Sequence, residues 1–434
     1  MHSAGFKFRQ GQLVLNQTNS PQHLPKLVLP ILAAIIAVGP FSLDAYLPAF
    51  PYIAEDLSIS PVAVGYSLSA YLIGMALGQL LGGPISDQIG RRKIAVTGMV
   101  LFVLASLAIL YTKSLEYLIA ARVLQALGGG LASSIVMPTI RDLSSPEKLA
   151  SRLALVYLIM LMAPLVAPLI GVGLMQLGWR WIFGFLGIYV FLLLCAYSWL
   201  LDETRVERQK KINFRKIFSQ YRFVITHKLE GVRTPIKYGI SASLSSCIML
   251  IYVTNASFIF QIYFGVSDIL FPVFFAINVV ALALVQSFSA RYLRNRSLVQ
   301  VASYFRFGQR LQLTAISLMA LVVIFGGASL WVIVPSLVIT LSCLGINGSA
   351  GSGVFLAAFN QHSGSASSIL TTGTFVFGAI FGGLSGLLNR GDLSSVVLVM
   401  LTASLLANLL LLLISREREA QLLEKIQSGE IEAV

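Results

Sequence analysis

Charge is what this sequence has least of. Only 11% of its 434 residues are Asp, Glu, Lys or Arg, against 56% hydrophobic, and the mean hydropathy is +0.82. Soluble domains carry about a quarter of their residues as charges, so the composition argues against a water-soluble enzyme. Cysteine is scarce too. Cys195, Cys247 and Cys343 lie far apart inside apolar stretches, without metal-type spacing, and read as small apolar residues. His2, His23, His227 and His362 fall in tails or loops and form no ligand cluster. No G-x-x-x-x-G-K-[ST] motif is present, which argues against direct ATP drive. The apolar segments offer no His/Asp metal cluster, no paired carboxylates and no nucleophile beside a base, so a membrane-embedded enzyme finds no support. The first 26 residues are polar and broken by proline. They do not resemble a cleavable signal, and the first apolar run is expected to be retained.

Apolar runs are present in abundance, and they repeatedly exceed the roughly 18 residues that a helix needs to cross a bilayer. Hydropathy and turn signals place twelve spans near 27–52, 62–82, 94–111, 117–139, 150–177, 181–201, 237–263, 268–290, 310–328, 330–357, 366–389 and 393–414. The expected organisation is a cytoplasmic tail (1–26), a six-span unit (27–201), a basic linker (202–236), a second six-span unit (237–414) and a C-terminal tail (415–434). The formal charge of +13 would suggest nucleic acid in a soluble chain; here the basic residues sit between spans and face anionic headgroups. Of 31 Lys and Arg, 27 fall on one set of alternating loops and tails, three on the other, and one, Arg122, inside a span. The excess predicts that both termini are cytoplasmic. The linker reads as a solvated tether, with a short amphipathic surface helix around Phe214 to Phe223 as the alternative. The C-terminal tail reads as a short exposed helix that frays, with no chemistry assigned.

Ionisable groups inside spans are costly in hydrocarbon and are functional candidates by default. Asp44 lies about two-thirds along span 1, where the neutral acid is far cheaper than the carboxylate. That suits a group that takes and releases protons. Arg122, in span 4, has Gln125 one turn along its face and then Gly128, Gly129 and Gly130. Small residues allow close helix approach, and Arg122 is placed to respond to Asp44 directly or through water. Tyr46, Gln125, Tyr252 and Asn255 are the cavity candidates, with Gln261, Asn278, Phe355 and Asn360 as weaker ones and Asp268 at a span edge. Between spans 2 and 3, Gly82, Gly83, Pro84 and Gly90 are expected to break the helix. Asp87 is placed to face a helix N-terminus, where an anion is favoured, and Arg91, Arg92 and Lys93 follow. Such a cluster can latch two bundles together. In span 5, Pro164, Pro168, Gly171 and Gly173 predict a bent, closely packed helix.

The sequence G-G-P-I-S-D-Q-I-G-R-R-K between spans 2 and 3 resembles the signature loop of the major facilitator superfamily. With L-D-A-Y-L-P-A-F-P in span 1, R-V-L-Q-A-L-G in span 4 and P-L-I-G in span 5, the chain resembles the twelve-span drug:proton antiporters of the Bcr/CflA type. These motifs all lie in the first 175 residues. The resemblance implies an all-α major facilitator fold, two six-helix bundles around a central cavity that opens to alternate sides. It implies that Asp44 is the proton-linked acid, Arg122 the motif arginine of span 4, and Gly83, Asp87, Gly90, Arg91 and Arg92 a cytoplasmic gate. The expected activity is proton-driven export of a small amphipathic compound or antibiotic across a bacterial inner membrane. The proton gradient supplies the energy without a cofactor, and the expected form is a monomer with no nucleic-acid partner. A dedicated metabolite or siderophore exporter, or a proton-coupled importer, is the alternative. Two departures stand out: the position after Asp87, commonly basic, is Gln88, and the matching loop after span 8, S-A-R-Y-L-R-N-R-S, lacks the Asp and Gly.

Overall fold

The computed structural model describes residues 27–204, 212–227, 234–359 and 363–428. His2, His23, His362, Asn360 and the N-terminal tail 1–26 lie outside them. Among the described residues every regular element is helical, and twelve helices are long and apolar enough to span a bilayer. Spans 1 to 6 are Val28–Asp56, Pro61–Ile89, Arg91–Ile109, Leu115–Asp142, Ser151–Met175 and Arg180–Leu200. Spans 7 to 12 are Pro235–Tyr263, Phe271–Leu293, Leu298–Ile324, Leu330–Ala357, Gly364–Leu387 and Ser394–Leu412. They form two six-helix bundles whose principal seam is span 2 against span 11.

Three boundaries differ from the expectation. Span 9 begins at Leu298, not 310, because Ser297 and Gln300 form a reciprocal capping box that starts the helix ahead of its apolar segment. The helix of span 2 runs through Gly82, Gly83 and Pro84 to Ile89 and stops only at Gly90, whose φ of 111° is open to glycine. Proline cannot donate to the carbonyl four residues back, so the Leu80 carbonyl is freed. The hydroxyl of Tyr221 donates to it at 2.6 Å. Tyr221 belongs to the third difference: part of the linker forms a helix, Phe214–Thr226, instead of a tether. Ile217, Tyr221 and Val224 are buried while Arg215, Ser219, Arg222 and Thr226 are exposed, so the helix is amphipathic, with Phe214, Phe218 and Ile225 left uncovered beside the polar residues. A final helix, Arg416–Ser428, does not fray into solvent, because Leu422 and Leu423 are buried against span 9.

Glycine sets the spacing of the first bundle. A methyl added at Gly74 or Gly78 would lie 2.4 or 2.6 Å from a span 4 carbonyl, and one at Gly128 would lie 2.5 Å from the Gly98 carbonyl in span 3. Without a hydrophobic drive between helices in lipid, this backbone proximity supplies the packing. Gly128→Ala should therefore cost about 1–3 kcal/mol by overpacking. Gly129→Ala, whose methyl would meet the Phe102 ring at 3.4 Å and the Met75 sulfur at 3.7 Å, both ordinary contacts, should cost far less. Thermal unfolding of the two variants in detergent checks this; equal midpoints would show that the gap at Gly128 opens freely.

Candidate functional site: a broken span, a caged arginine and a charged helix junction

Span 1 is not one helix. It runs from Val28 to Asp44, turns through a short 3-10 segment at Leu47–Ala49, and resumes as Phe50–Asp56. Pro48 enforces the break, since it has no N–H to give to the Asp44 carbonyl. Asp44 closes the first segment, about 24 Å along the helix from Val28 at 1.5 Å per residue. Beside it, span 5 presses so close that a methyl on Gly171 would lie 1.8 Å from the Ala45 carbonyl. Pro168, one turn earlier, is buried, and Pro164 is half-buried.

The break leaves the Ser42 carbonyl without a backbone donor from Tyr46, and Arg122 fills the vacancy. Its Nη2 donates to Ser42 O at 3.1 Å and its Nη1 to Gln125 Oε1 at 2.6 Å. Gln125 passes a hydrogen bond to Ser106 Oγ at 2.7 Å. The guanidinium lies over the rings of Tyr46 (4.5 Å), Tyr71 (4.1 Å) and Phe183 (5.4 Å). Arg122 is wholly buried, so it does not reach back to an interface. Each such cation–π contact is worth about 0.5–2 kcal/mol, and together they offset part of the cost of burying a charge.

Asp44 is also buried, at 4% exposure. Among the described residues it forms no ion pair with Arg122, and no hydrogen bond reaches its carboxylate. The two groups are joined through span 1 backbone, two residues apart, and not by direct contact. Tyr71 and Tyr252 lie within electrostatic range of the acid. An acid so placed has no fixed partner to lose when it takes a proton.

The four cavity candidates are all buried and hydrogen-bonded, and Asn255 also lines a crevice between the bundles. Tyr46 hydrogen-bonds Ser67 (3.2 Å) and stacks near Phe50 and Phe183. Gln125 belongs to the Arg122 chain. Tyr252 accepts from Asn278 at 3.1 Å and stacks on Phe275, and Asn255 donates to Ser385 Oγ at 2.8 Å. Phe355 is buried against Phe359. A second polar cluster, unforeseen because it carries no charge, ties Ser245, Gln312 and Asn347. Ser245 Oγ donates to Gln312 Oε1 at 2.7 Å, and Asn347 Nδ2 donates to Ser245 Oγ at 2.8 Å. The same depth argument, applied to uncharged polar residues, would have found it.

At the face carrying Arg91, Arg92 and Lys93, here the basic face, the charged cluster differs from the expected latch. Asp87 pairs with Arg91, one turn on, at 3.2 Å. Arg91 is buried and donates from Nε to Asp142 at 2.5 Å, at the end of span 4. The first N–H groups of span 3 are capped from across the bundle: Glu203 accepts from the Arg91 N–H at 2.8 Å and the Arg92 N–H at 3.3 Å. Arg92 reaches Ser198 O and Asp202 at the end of span 6. The partners of both arginines thus tie spans 2, 3, 4 and 6 within one bundle, not two bundles together. Gly83 approaches Ser368 of span 11. Gln88 is buried and accepts the Asn213 N–H at 2.6 Å, so a neutral residue at this position docks the linker. Asp142 and Glu203 carried no sequence signal, since each looks like an ordinary loop acid.

At the opposite face the bundles do meet through hydrogen bonds. The last residues of span 7 widen into a π-helix, Phe258–Tyr263, a rare local geometry that is frequent at functional sites. From it Gln261 donates to Pro48 O at 3.0 Å, in the break of span 1, and to Asp268 at 2.8 Å. The Tyr52 hydroxyl donates to the same Asp268 at 2.5 Å. Alongside, a crevice between Phe50, Tyr66, Thr254 and Gly386 narrows to about 10 Å³, too little to hold a water comfortably.

Removal of the carboxylate cap should be measurable by itself. Glu203→Ala is expected to cost about 1 kcal/mol, the typical worth of an N-terminal cap. Asp202→Ala, at an exposed site, should be near neutral. Paired thermal unfolding scans check the difference, and equal midpoints would remove Glu203 from the capping role.

Residues 32–359 match the sequence profile of the Major Facilitator Superfamily. A Bacillus subtilis (strain 168) protein named uncharacterized MFS-type transporter YdgK is 33% identical over 61% of this chain and 66% of its own length, just under two-thirds of it. A bicyclomycin resistance protein homolog from Haemophilus influenzae is 27% identical over 81% of this chain and 87% of that one. The partially occluded inward-open structure of the xylose transporter XylE from E. coli overlays with a TM-score of 0.65 at 12% identity, covering 88% of this chain and 95% of that one. The last likeness shows the fold alone. This chain is therefore a multi-pass membrane protein and not an enzyme: it belongs to the major facilitator superfamily of transporters, with relatives of the Bcr/CflA type.

Proposed function

We propose that the protein is a proton-driven efflux transporter that exports small amphipathic compounds or antibiotics across a bacterial inner membrane by alternating access. The observation that carries this reading is Asp44: a buried acid without a fixed partner, at the break of span 1, beside the carbonyl that a buried arginine holds. The relative named for bicyclomycin resistance supports a drug-like cargo. The excess of Lys and Arg on the basic face supports a cytoplasmic location for that face and for both termini. The hydrogen-bonded seal at the opposite face then supports a state closed to the periplasm.

In this cycle the substrate enters from the cytoplasm and displaces the proton of Asp44. The linkage runs through the Ser42 carbonyl and Arg122, because a charge appearing on Asp44 acts on a guanidinium bonded two residues away. The Tyr52–Asp268 and Gln261–Pro48 bonds must break before the bundles part on the periplasmic side. After release Asp44 takes a proton from the more acidic side, and the neutral acid is cheaper to enclose on the return. No cofactor enters the cycle, and one chain suffices for it.

Inverted membrane vesicles with an established proton gradient test the coupling. Addition of a transported compound should drive proton efflux from the lumen, followed by dye quenching. Asp44→Asn should abolish uphill transport while inserting normally; an Asp44→Asn protein that still pumps against a gradient overturns the role. Proton movement of the opposite sign would identify an importer. The seal has its own test. A hydrogen bond to a charged group is worth about 1.5–3 kcal/mol, so Tyr52→Phe combined with Gln261→Ala should raise the outward-open population about tenfold or more. Spin labels on Ser58 and Ser267, in loops of different bundles at that face, read this as a longer-distance population; an unchanged distribution would show that the bonds do not hold the face shut.

A further inference from the structure

The early start of span 9 plays no part in the transport cycle. Its first three turns stand ahead of the apolar segment and are accompanied by the final helix, which runs beside them in the opposite direction. Glu419 pairs with Arg306, and Gln427 Oε1 accepts the Leu298 N–H at 2.9 Å. Arg306 also donates to Leu411 O at 2.9 Å, on the last turn of span 12. Arg306 and Arg310, one turn further on, therefore sit where spans 9 and 12 leave the apolar layer.

A cavity of about 380 Å³ opens there between span 9 and the final helix, lined by Ser303, Arg306, Phe307, Arg310, Glu419 and Leu423 among others. Arg310 is exposed and, among the described residues, has no ion-pair partner. Below it the outward face of span 9 is apolar and uncovered, with Phe307, Leu311, Leu318 and Leu321 exposed along one stripe. Burial pushes the Glu419 carboxyl up to about 7, so this single acid sets at most one negative charge against two guanidinium groups. Cations at the rim and a stripe beneath that is apolar but for Thr314 match an anionic amphiphile. The phosphate meets arginine, which favours its geometry, and an acyl chain follows the helix.

We propose that this groove binds the phosphate headgroup of an anionic phospholipid from the surrounding leaflet, with Arg310 as its principal contact. A basic residue near a membrane surface contributes about 1 kcal/mol toward an anionic lipid, which is about fivefold in occupancy. The test is native mass spectrometry of the full-length protein in detergent, with dioleoyl-phosphatidylglycerol and dioleoyl-phosphatidylcholine in equal amounts. The wild type should take phosphatidylglycerol first. Arg310→Gln should lower that preference about fivefold, Arg310→Lys should keep most of it, and Arg294→Gln, at an exposed arginine of the preceding loop, should leave it unchanged. An unaltered preference in Arg310→Gln overturns the proposal, as does an equal fall in Arg294→Gln, which would mean bulk charge. Displacement of phosphatidylglycerol from the wild type by millimolar inorganic phosphate also overturns it, in favour of a soluble-anion site.

Discussion

A helix cannot be interrupted inside a membrane without freeing backbone carbonyls, and hydrocarbon offers them no water. The hydrogen bond from Arg122 to the Ser42 carbonyl is the resolution of that constraint at the centre of this protein. It allows span 1 to break after Asp44, it fixes the guanidinium where three aromatic rings surround it, and it joins the buried acid and the buried cation through two residues of backbone. The same solution recurs at each irregularity. Tyr221 serves the Leu80 carbonyl that Pro84 frees, and Gln261 serves Pro48 O across the bundle interface. Each of these side chains both satisfies a backbone carbonyl and links two separate elements.

The two bundles solve burial of polar groups differently. The first holds a full positive charge among Tyr46, Tyr71 and Phe183, and orders its basic-face helix ends around Arg91 with Asp87, Asp142 and Glu203. The second uses neutral groups, Ser245, Gln312 and Asn347, which satisfy one another without any net charge. Neutral networks carry no charge to trap in hydrocarbon, whereas a buried cation answers to any charge that appears nearby. The buried ionisable groups Asp44 and Arg122 therefore lie together in spans 1 and 4, whereas the buried polar cluster of the second bundle is neutral.

Close glycine contacts give each bundle its rigidity. Spans 2, 3 and 4 approach to backbone contact at Gly74, Gly78, Gly98 and Gly128, and span 11 meets span 7 at Gly373, Gly378 and Gly382. Between bundles, span 2 packs on span 11, with Tyr66 against Gly386, and the hydrogen bonds of Tyr52 and Gln261 add to that packing at the same face.

Much of this was legible in the residues. Twelve spans, their near boundaries, the one-sided asymmetry of charge and the candidacy of Asp44 and Arg122 all follow from transfer energies, which are local properties of a chain in a bilayer. Gly171 likewise announced a close contact, whereas the break at Pro48 emerged only in the structure. What the chain could not disclose was pairing across distance. Asp142 and Glu203 look like any loop acid until folding brings them to Arg91, and Gln88 looks like a lost charge until it holds the linker. Hydropathy placed the start of span 9 at 310, because it reads the apolar layer and not the helix; the capping box and the final helix extend it by three turns. Sequence alone determined which segments enter the membrane and which groups are expensive there. Only the tertiary structure decided which partner lightens each expense, because a carbonyl or a charge is satisfied by whatever the fold brings within 3 Å, and that neighbour is set by packing between helices far apart in the chain.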